Sequence, residues 1–186
     1  AFYSGCAAIS AYEAGNLLVY RDERYSVGRL AMKAEDIMVR EVETVQLHEN
    51  VGDILHRMRT LKYRTLPVID EHGRVLGEFS TYKILTTIVP SYITSGDLDH
   101  VEFVPDIGVL KRRYNEIASK IVADIMNPSP ILVDEKSSVL SVAAELLASH
   151  HSSLAMVVSK DKHLKGVVAR SDILCFVQES GVENRA

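Results

Sequence analysis

Hydrophobic positions along this chain change period several times, and they do so twice in the same order. Ala34 to Met38 reads as one helical turn, and Glu43-Thr44-Val45-Gln46-Leu47 alternates as a short strand does. Val51, Ile54, Leu55, Met58 and Leu61 follow at i, i+3, i+4, i+7 and i+10, the spacing of one helix face. Thr65 to Ile69 has strand character. Pro67 inside it calls for an edge, or for a position whose N–H is not needed. Asp70-Glu71-His72-Gly73 reads as a turn, Val75 to Phe79 as the returning strand, and Tyr82 to Val89 as a closing helix.

The same order begins again near Val122. Pro128 and Pro130 lead into a strand, Ile131-Leu132-Val133, and Ser137 or Ser138 is placed to cap a helix carrying Val139, Val142, Ala143, Leu146 and Leu147. Leu154 to Val158 and Leu164 to Val168 read as a hairpin, and Asp172 to Val177 begins the last helix. Asp36-Ile37-Met38, Val45, Val51 and Leu66 match Asp124-Ile125-Met126, Val133, Val139 and Leu154 at an offset of 88. Gly77, Ile84 and Leu85 match Gly166, Ile173 and Leu174 at an offset of 89. The one-residue slip falls at the turn Glu71-His72-Gly73-Arg74, where an insertion costs least. The chain is an internal duplication.

Each repeat alone is too small to bury a good core. The expected architecture is therefore α/β (α+β): two pseudo-symmetric β-α-β-β-α repeats packed sheet to sheet, with Ile54, Leu55, Met58, Val142, Leu146 and Ile173 buried. The expected bounds are 1–31 for an N-terminal arm, 32–90 for repeat 1, 91–121 for a connector with a helix, 122–180 for repeat 2 and 181–186 for a frayed tail. In the arm, Ala7 to Tyr20 holds Leu17-Leu18-Val19 and reads as a short helix or docked arm. It lacks the basic start and dense apolar centre of a signal peptide. In the connector, Ser95-Gly96-Asp97 and Pro105-Asp106 mark loops. Ile107, Leu110, Tyr114, Ile117 and Ile121 then predict a helix running into repeat 2. Lys111-Arg112-Arg113 on that helix reads as a solvated face, or as a contact for phosphate or an acidic partner.

Composition narrows the function. The 186 residues carry a net charge of −4, which argues against a general nucleic-acid or anionic-membrane surface. No apolar run approaches the length of a membrane span, so no direct membrane insertion is expected. Of the two cysteines, Cys6 and Cys175, the latter lies among Ile173, Leu174 and Phe176 and reads as a buried thiol. A reducing, cytoplasmic setting fits. No Cys/His spacing suggests zinc, and His150-His151 read as polar residues at a helix end.

The chemistry is concentrated where each repeat turns from strand into helix. In Gly166-Val167-Val168-Ala169-Arg170-Ser171-Asp172-Ile173-Leu174, β-branched residues give way to good helix-start residues. Such a turn aims free backbone N–H groups outward, a natural place for phosphate. Asp172 is its only carboxylate, and a carboxylate accepts from a ribose diol. Gly77-Glu78-Phe79-Ser80-Thr81-Tyr82-Lys83-Ile84-Leu85 is the same design. The plain alternatives are that Asp172 only offsets the positive end of a helix, that Ser80 is only an N-cap, and that Arg170 faces solvent.

The duplicated unit, with Asp-Ile-Met at 36–38 and 124–126, Leu66-Pro67-Val68-Ile69-Asp70 and the two glycine turns, resembles the cystathionine-β-synthase (CBS) domain. A tandem pair of these is a Bateman module, and the resemblance covers residues 32–180. It implies a regulatory role without catalysis, with an adenosine ligand in the cleft between repeats: AMP, ADP or ATP, and S-adenosylmethionine less readily. In the family pattern, a Ser or Thr three residues after the glycine helps hold phosphate, and an Asp three residues further on holds the ribose. Here repeat 1 keeps Ser80 but has Lys83 in place of the Asp, while repeat 2 keeps Asp172 but has Ala169 in place of the hydroxyl.

One nucleotide site per chain is therefore expected. Its ribose would lie on Asp172, beside Ser171, and its adenine between the Ile131-Leu132 strand start and Ser153-Leu154-Ala155. Its phosphates would run toward Arg170, Ser80, Thr81 and Lys83. The resemblance also implies a homodimer, with Val51, Leu55, Val139, Ala143 and Leu147 as contacts, and an unidentified regulated protein. The alternative is a ligand-free module that dimerises and presents a surface to a partner.

Overall fold

The computed structural model describes residues 32–90, 107–149 and 151–180. Expectations for Ala7 to Tyr20, the two connector loops, His150 and the tail lie outside these residues. The elements in chain order are α1 (Ala34–Ile37), β1 (Val45–Gln46), α2 (Val51–Leu61), β2 (Thr65–Ile69), β3 (Val75–Ser80), α3 (Thr81–Ile88), α4 (Ile107–Ala118), α5 (Val122–Ile125), β4 (Ile131–Asp134), α6 (Val139–Ala148), β5 (Leu154–Val158), β6 (Leu164–Ala169) and α7 (Arg170–Ser180).

The strands form two three-stranded sheets, ordered β1-β2-β3 and β4-β5-β6. β1 runs parallel to β2, with Val45 opposite Val68, and β2 runs antiparallel to β3, with Thr65 opposite Ser80. β4 runs parallel to β5, with Ile131 opposite Ala155. This is the duplicated mixed α/β architecture that the periodicity predicts. Pro67 sits in the middle strand and not at an edge. It is tolerated because β1 reaches β2 only at Val68 and Ile69, so Pro67 lies beyond the end of that neighbour.

Side-chain caps set the helix starts. Asn50 accepts from the N–H groups of Gly52 and Asp53, Ser80 from Lys83 and Ser138 from Ser141. The connector helix does not run into repeat 2. It ends at Ala118, and Ile121, in extended backbone, starts the separate α5. The face expected on it is only partly used: Ile117 is buried, whereas Ile107 is 75% exposed.

The chain divides into two compact units that do not follow the order of the repeats. Among the described residues, the repeat-1 unit holds 43–90, 107–130 and 161–164; the repeat-2 unit holds 32–42, 131–149, 151–160 and 165–180. Thus α1, which precedes repeat 1, is built into the repeat-2 unit, and α5, which precedes repeat 2, is built into the repeat-1 unit. The hydrogen bonds that fasten the two agree in register. In the repeat-1 unit Val51 N donates to Lys120 O and Val122 N to Glu49 O; in the repeat-2 unit Val139 N donates to Met32 O and Ala34 N to Ser137 O. Asn127 then bridges Glu78 on β3, as Val39 bridges Val167 on β6.

These crossings explain the duplicated glycines. A Cβ on Gly77 would stand 2.5 Å from the Asn127 carbonyl oxygen, and one on Gly166 would stand 2.7 Å from that of Val39. Only a residue without a side chain lets the crossing backbone approach so closely.

The repeat-1 unit is cored by Val45, Ile54, Met58, Leu66, Phe79 and Val122. The repeat-2 unit is cored by Ile37, Val133, Val142, Leu146, Ala155 and Val168. Leu55 and Ile173, expected to be buried, are half-buried at the edges of these clusters. Cys175 is also half-buried, and it is disulfide-bonded; the expectation of a buried thiol is corrected. Among the described residues no helix is long and apolar enough to cross a membrane.

Candidate functional site

The repeat-2 unit gathers most of the residues singled out in the sequence. β4 and β5 lie side by side, so Ile131 and Leu132 stand next to Ala155 and Met156 at the sheet end where Ser153 and Leu154 enter. Leu154 and Ala155 are buried and Ile131 half-buried, while Leu132 and Ser153 are exposed. β6 ends at Ala169 and α7 begins at once with Arg170.

Asp172 lies in the first turn of α7, where a carboxylate is favoured by the helix dipole. It is 7% exposed, and its Oδ2 accepts from the Ala169 N–H at 2.7 Å. Burial pushes its carboxyl above the ordinary value, opposed by the Ala169 N–H and by a hydrogen bond from the Ser171 side chain. Ser171 is exposed at the mouth of the turn, and Ala169 is half-buried. A carboxylate at a helix start accepts hydrogen bonds from donors such as hydroxyl groups.

Arg170 has a defined post. Its Nη2 donates to the carbonyls of Leu146, Ser149 and Ser152 at 2.8, 3.1 and 3.1 Å. It closes the C-terminal end of α6 and ties it to the approach to β5, where unsatisfied carbonyls gather. Phosphate would have to compete with these bonds. Replacing Arg170 with Ala should cost about 1–2 kcal/mol of stability, read as a lower urea midpoint with an unchanged slope.

Ser80, Thr81 and Lys83 belong to the repeat-1 unit. Ser80 is buried and caps α3 by accepting from the Lys83 N–H at 3.2 Å. Thr81 donates its hydroxyl to the Arg64 carbonyl at 3.3 Å. Lys83 is exposed.

The sequence reading passed over Glu78. It is fully buried on β3, its Oε1 accepting from Asn127 Nδ2 at 3.0 Å, and it occupies the place that Val167 holds in repeat 2. The signal was available: a carboxylate within the apolar run Val75-Leu76-Gly77-Glu78-Phe79 demands a partner. The residues named for a dimer contact are mostly not on offer. Val51 and Val139 are buried in their own cores and Leu55 and Ala143 are half-buried, leaving Leu147 exposed.

Comparison with known proteins agrees with this fold. Residues 34–90 and 122–179 both match the family model of the CBS domain, and the chain belongs to that family as a tandem pair. It is 28% identical over 157 residues to CBSX1, a chloroplastic CBS domain-containing protein of Arabidopsis thaliana, covering 81% of this chain and 63% of that one. It thus spans less than two thirds of CBSX1. It is 25% identical over 181 residues to the chloroplastic CBSX2 of the same plant, covering 94% of this chain and 71% of that one. The solved structure of CBSX2 in complex with AMP superposes with a TM-score of 0.61 at 23% identity, covering 80% of this chain and 98% of that chain. At that identity the structural likeness is one of fold.

Proposed function

We propose that this chain is a regulatory module that binds an adenine nucleotide at the β6–α7 turn and controls a partner protein or domain. The observation that carries this reading is Asp172: a desolvated carboxylate at a helix start, beside the paired ends of β4 and β5. Holding an ionised group there costs stability, and such costs concentrate where a ligand is recognised. CBSX2, a relative of the same fold, has been solved with AMP, which supports the same ligand class here. The module would act by binding and not by catalysis.

A thermal-shift series with AMP, ADP, ATP and S-adenosylmethionine tests it. A ligand held only by the folded chain adds RT ln(1 + [L]/Kd), about 2.7 kcal/mol at one hundred times Kd. No shift with any of the four would favour the ligand-free reading, to which four exposed apolar residues, Leu140, Leu147, Leu174 and Val177, lend weight. A homodimer remains part of the proposal, but its contacts must come from side chains other than Val51 and Val139.

A further inference from the structure

In each unit the turn from strand into helix is tied to the approach of the neighbouring strand, but the two ties are built differently. In the repeat-1 unit Thr81 reaches only Arg64: its N–H and its hydroxyl both donate to that carbonyl, at 2.9 and 3.3 Å. Arg170 and Ser152 hold the same two places in repeat 2. There Arg170 Nη2 donates to Ser152 O and also to Leu146 O and Ser149 O at the end of α6. The helix ends differ accordingly. α2 closes on its own backbone: Lys62 is left-handed at φ 60°, and the N–H groups of Lys62 and Tyr63 both donate to Met58 O. α6 ends one residue sooner, and Ser149, in the place of Leu61, is extended at φ −87°. Leu146 O, the counterpart of Met58 O, accepts from Arg170 at 2.8 Å. A side chain from the proposed nucleotide turn thus closes this helix.

The joint continues into the strand that enters the site. Ser149 Oγ accepts from the Ser152 N–H at 3.1 Å, and the buried Ser152 hydroxyl donates to Leu154 O at 2.9 Å. Arg170 therefore links the Asp172 turn, the approach to β5 and the end of α6, where Leu147 is exposed. Only one of its three nitrogens is committed. Nη2 shares its two N–H groups among three carbonyls, while Nε and Nη1 make no hydrogen bond among the described residues. The guanidinium is planar and rigid, so holding one edge fixes where the other points. A phosphate taking Nη2 would have to break the carbonyl bonds. A phosphate taking the Nε–Nη1 edge keeps them and receives charge-assisted bonds.

We propose that Arg170 is the positioning residue that couples the phosphate of a bound nucleotide to the C-terminal end of α6. This rests on the nucleotide reading and adds the route by which occupancy leaves the site. A phosphate on the Nε–Nη1 edge immobilises the guanidinium and so tightens its hold on Leu146, Ser149 and Ser152. Phosphate and helix end then stabilise each other by the same factor, as linkage requires. The coupling belongs to repeat 2, because Thr81 has no second edge and α2 closes on its own backbone. A nucleoside without phosphate would fill the Asp172 turn and leave the α6 end as it was.

Hydrogen exchange read by mass spectrometry on the full chain tests it, with saturating AMP, saturating adenosine or neither, in the parent and in Arg170→Lys. In the parent both ligands should slow the amides of residues 169–173. Only AMP should also slow those of 145–149 and 151–154, by about fivefold or more. A lysine ammonium can still meet the carbonyls, but a single nitrogen has no second edge. Arg170→Lys should therefore lose the difference between AMP and adenosine at the α6 end, whereas an Arg170 that only caps α6 would leave that difference in place. A difference kept in the lysine variant would overturn the inference. So would slowing of 169–173 by AMP with none at the α6 end, or equal slowing there by adenosine, and either result would leave the nucleotide reading standing. Slowing at neither stretch with either ligand would overturn both.

Discussion

Replacing Asp172 with Ala is expected to lower adenine-nucleotide affinity at least tenfold, about 1.4 kcal/mol, and to leave the fold intact. Asp172 is the carboxylate at the β6–α7 turn, and its loss removes the acceptor proposed for the ribose diol. The fold should survive because the deletion has offsetting effects. The Ala169 N–H loses its 2.7 Å partner, while a desolvated charge disappears. The Asp172→Asn variant separates these effects, since an amide oxygen can still accept from Ala169 without carrying charge.

The sign of the pH dependence follows from burial. The folded state raises the pKa of Asp172, so it binds this proton more readily than the unfolded chain does. The contribution of this group to stability is therefore greatest below the unfolded pKa and is lost as pH rises through the folded pKa. Asp172→Asn should accordingly melt at or above the parent temperature at neutral pH, and the difference should vanish in acid as the parent carboxyl protonates. Equilibrium dialysis with labelled AMP, together with melting curves across the pH range, would check both halves. Unchanged affinity in the Ala variant would remove the proposed site.

The second large effect is expected at Gly77. An Ala there would place Cβ 2.5 Å from the Asn127 oxygen, 3.1 Å from Met126 Sδ and 3.3 Å from the Asn127 carbonyl carbon. The sulfur can move, but the backbone cannot without straining the paired bonds Glu78 N to Asn127 O at 2.9 Å and Asn127 N to Glu78 O at 2.8 Å. Those bonds fasten α5, through Asn127 just after it, onto β3. Overpacking of this kind costs about 1–3 kcal/mol, and backbone contact argues for the upper end. Gly166→Ala meets the Val39 oxygen at 2.7 Å but otherwise a flexible Met38 side chain, so it should cost less. Urea unfolding of the two variants gives the comparison. Parent-like stability in Gly77→Ala would mean that the exchanged segment is not held as tightly as the structure shows.

Periodicity carries a good deal of this fold. α2 ends where its apolar spacing says because it buries one face, and β2 because its apolar run is buried on both faces up to Val68. The helix starts at Asn50, Ser80 and Ser138 are written in residues that can accept a backbone proton. The exchange of α1 and α5 between units is not legible. Asp36-Ile37-Met38 and its copy repeat at the same offset as everything else, and a short helix has the same periodicity whichever sheet it docks on. The glycines mark the crossings, but from sequence they read as the beginnings of turns. At the site, Asp172 was visible as a lone carboxylate in a turn. The post of Arg170 was not, because its three partners are carbonyls that every residue carries.

The central claim is that the duplicated halves are unequal, with one nucleotide site at the Asp172 turn and none of equal strength at the Lys83 turn. Titration calorimetry of AMP, ADP and ATP into the unmodified full chain tests this most directly. Saturation at one nucleotide per chain is the predicted result. Saturation at two equivalent sites, or no heat with any of the three at millimolar ligand, would contradict it.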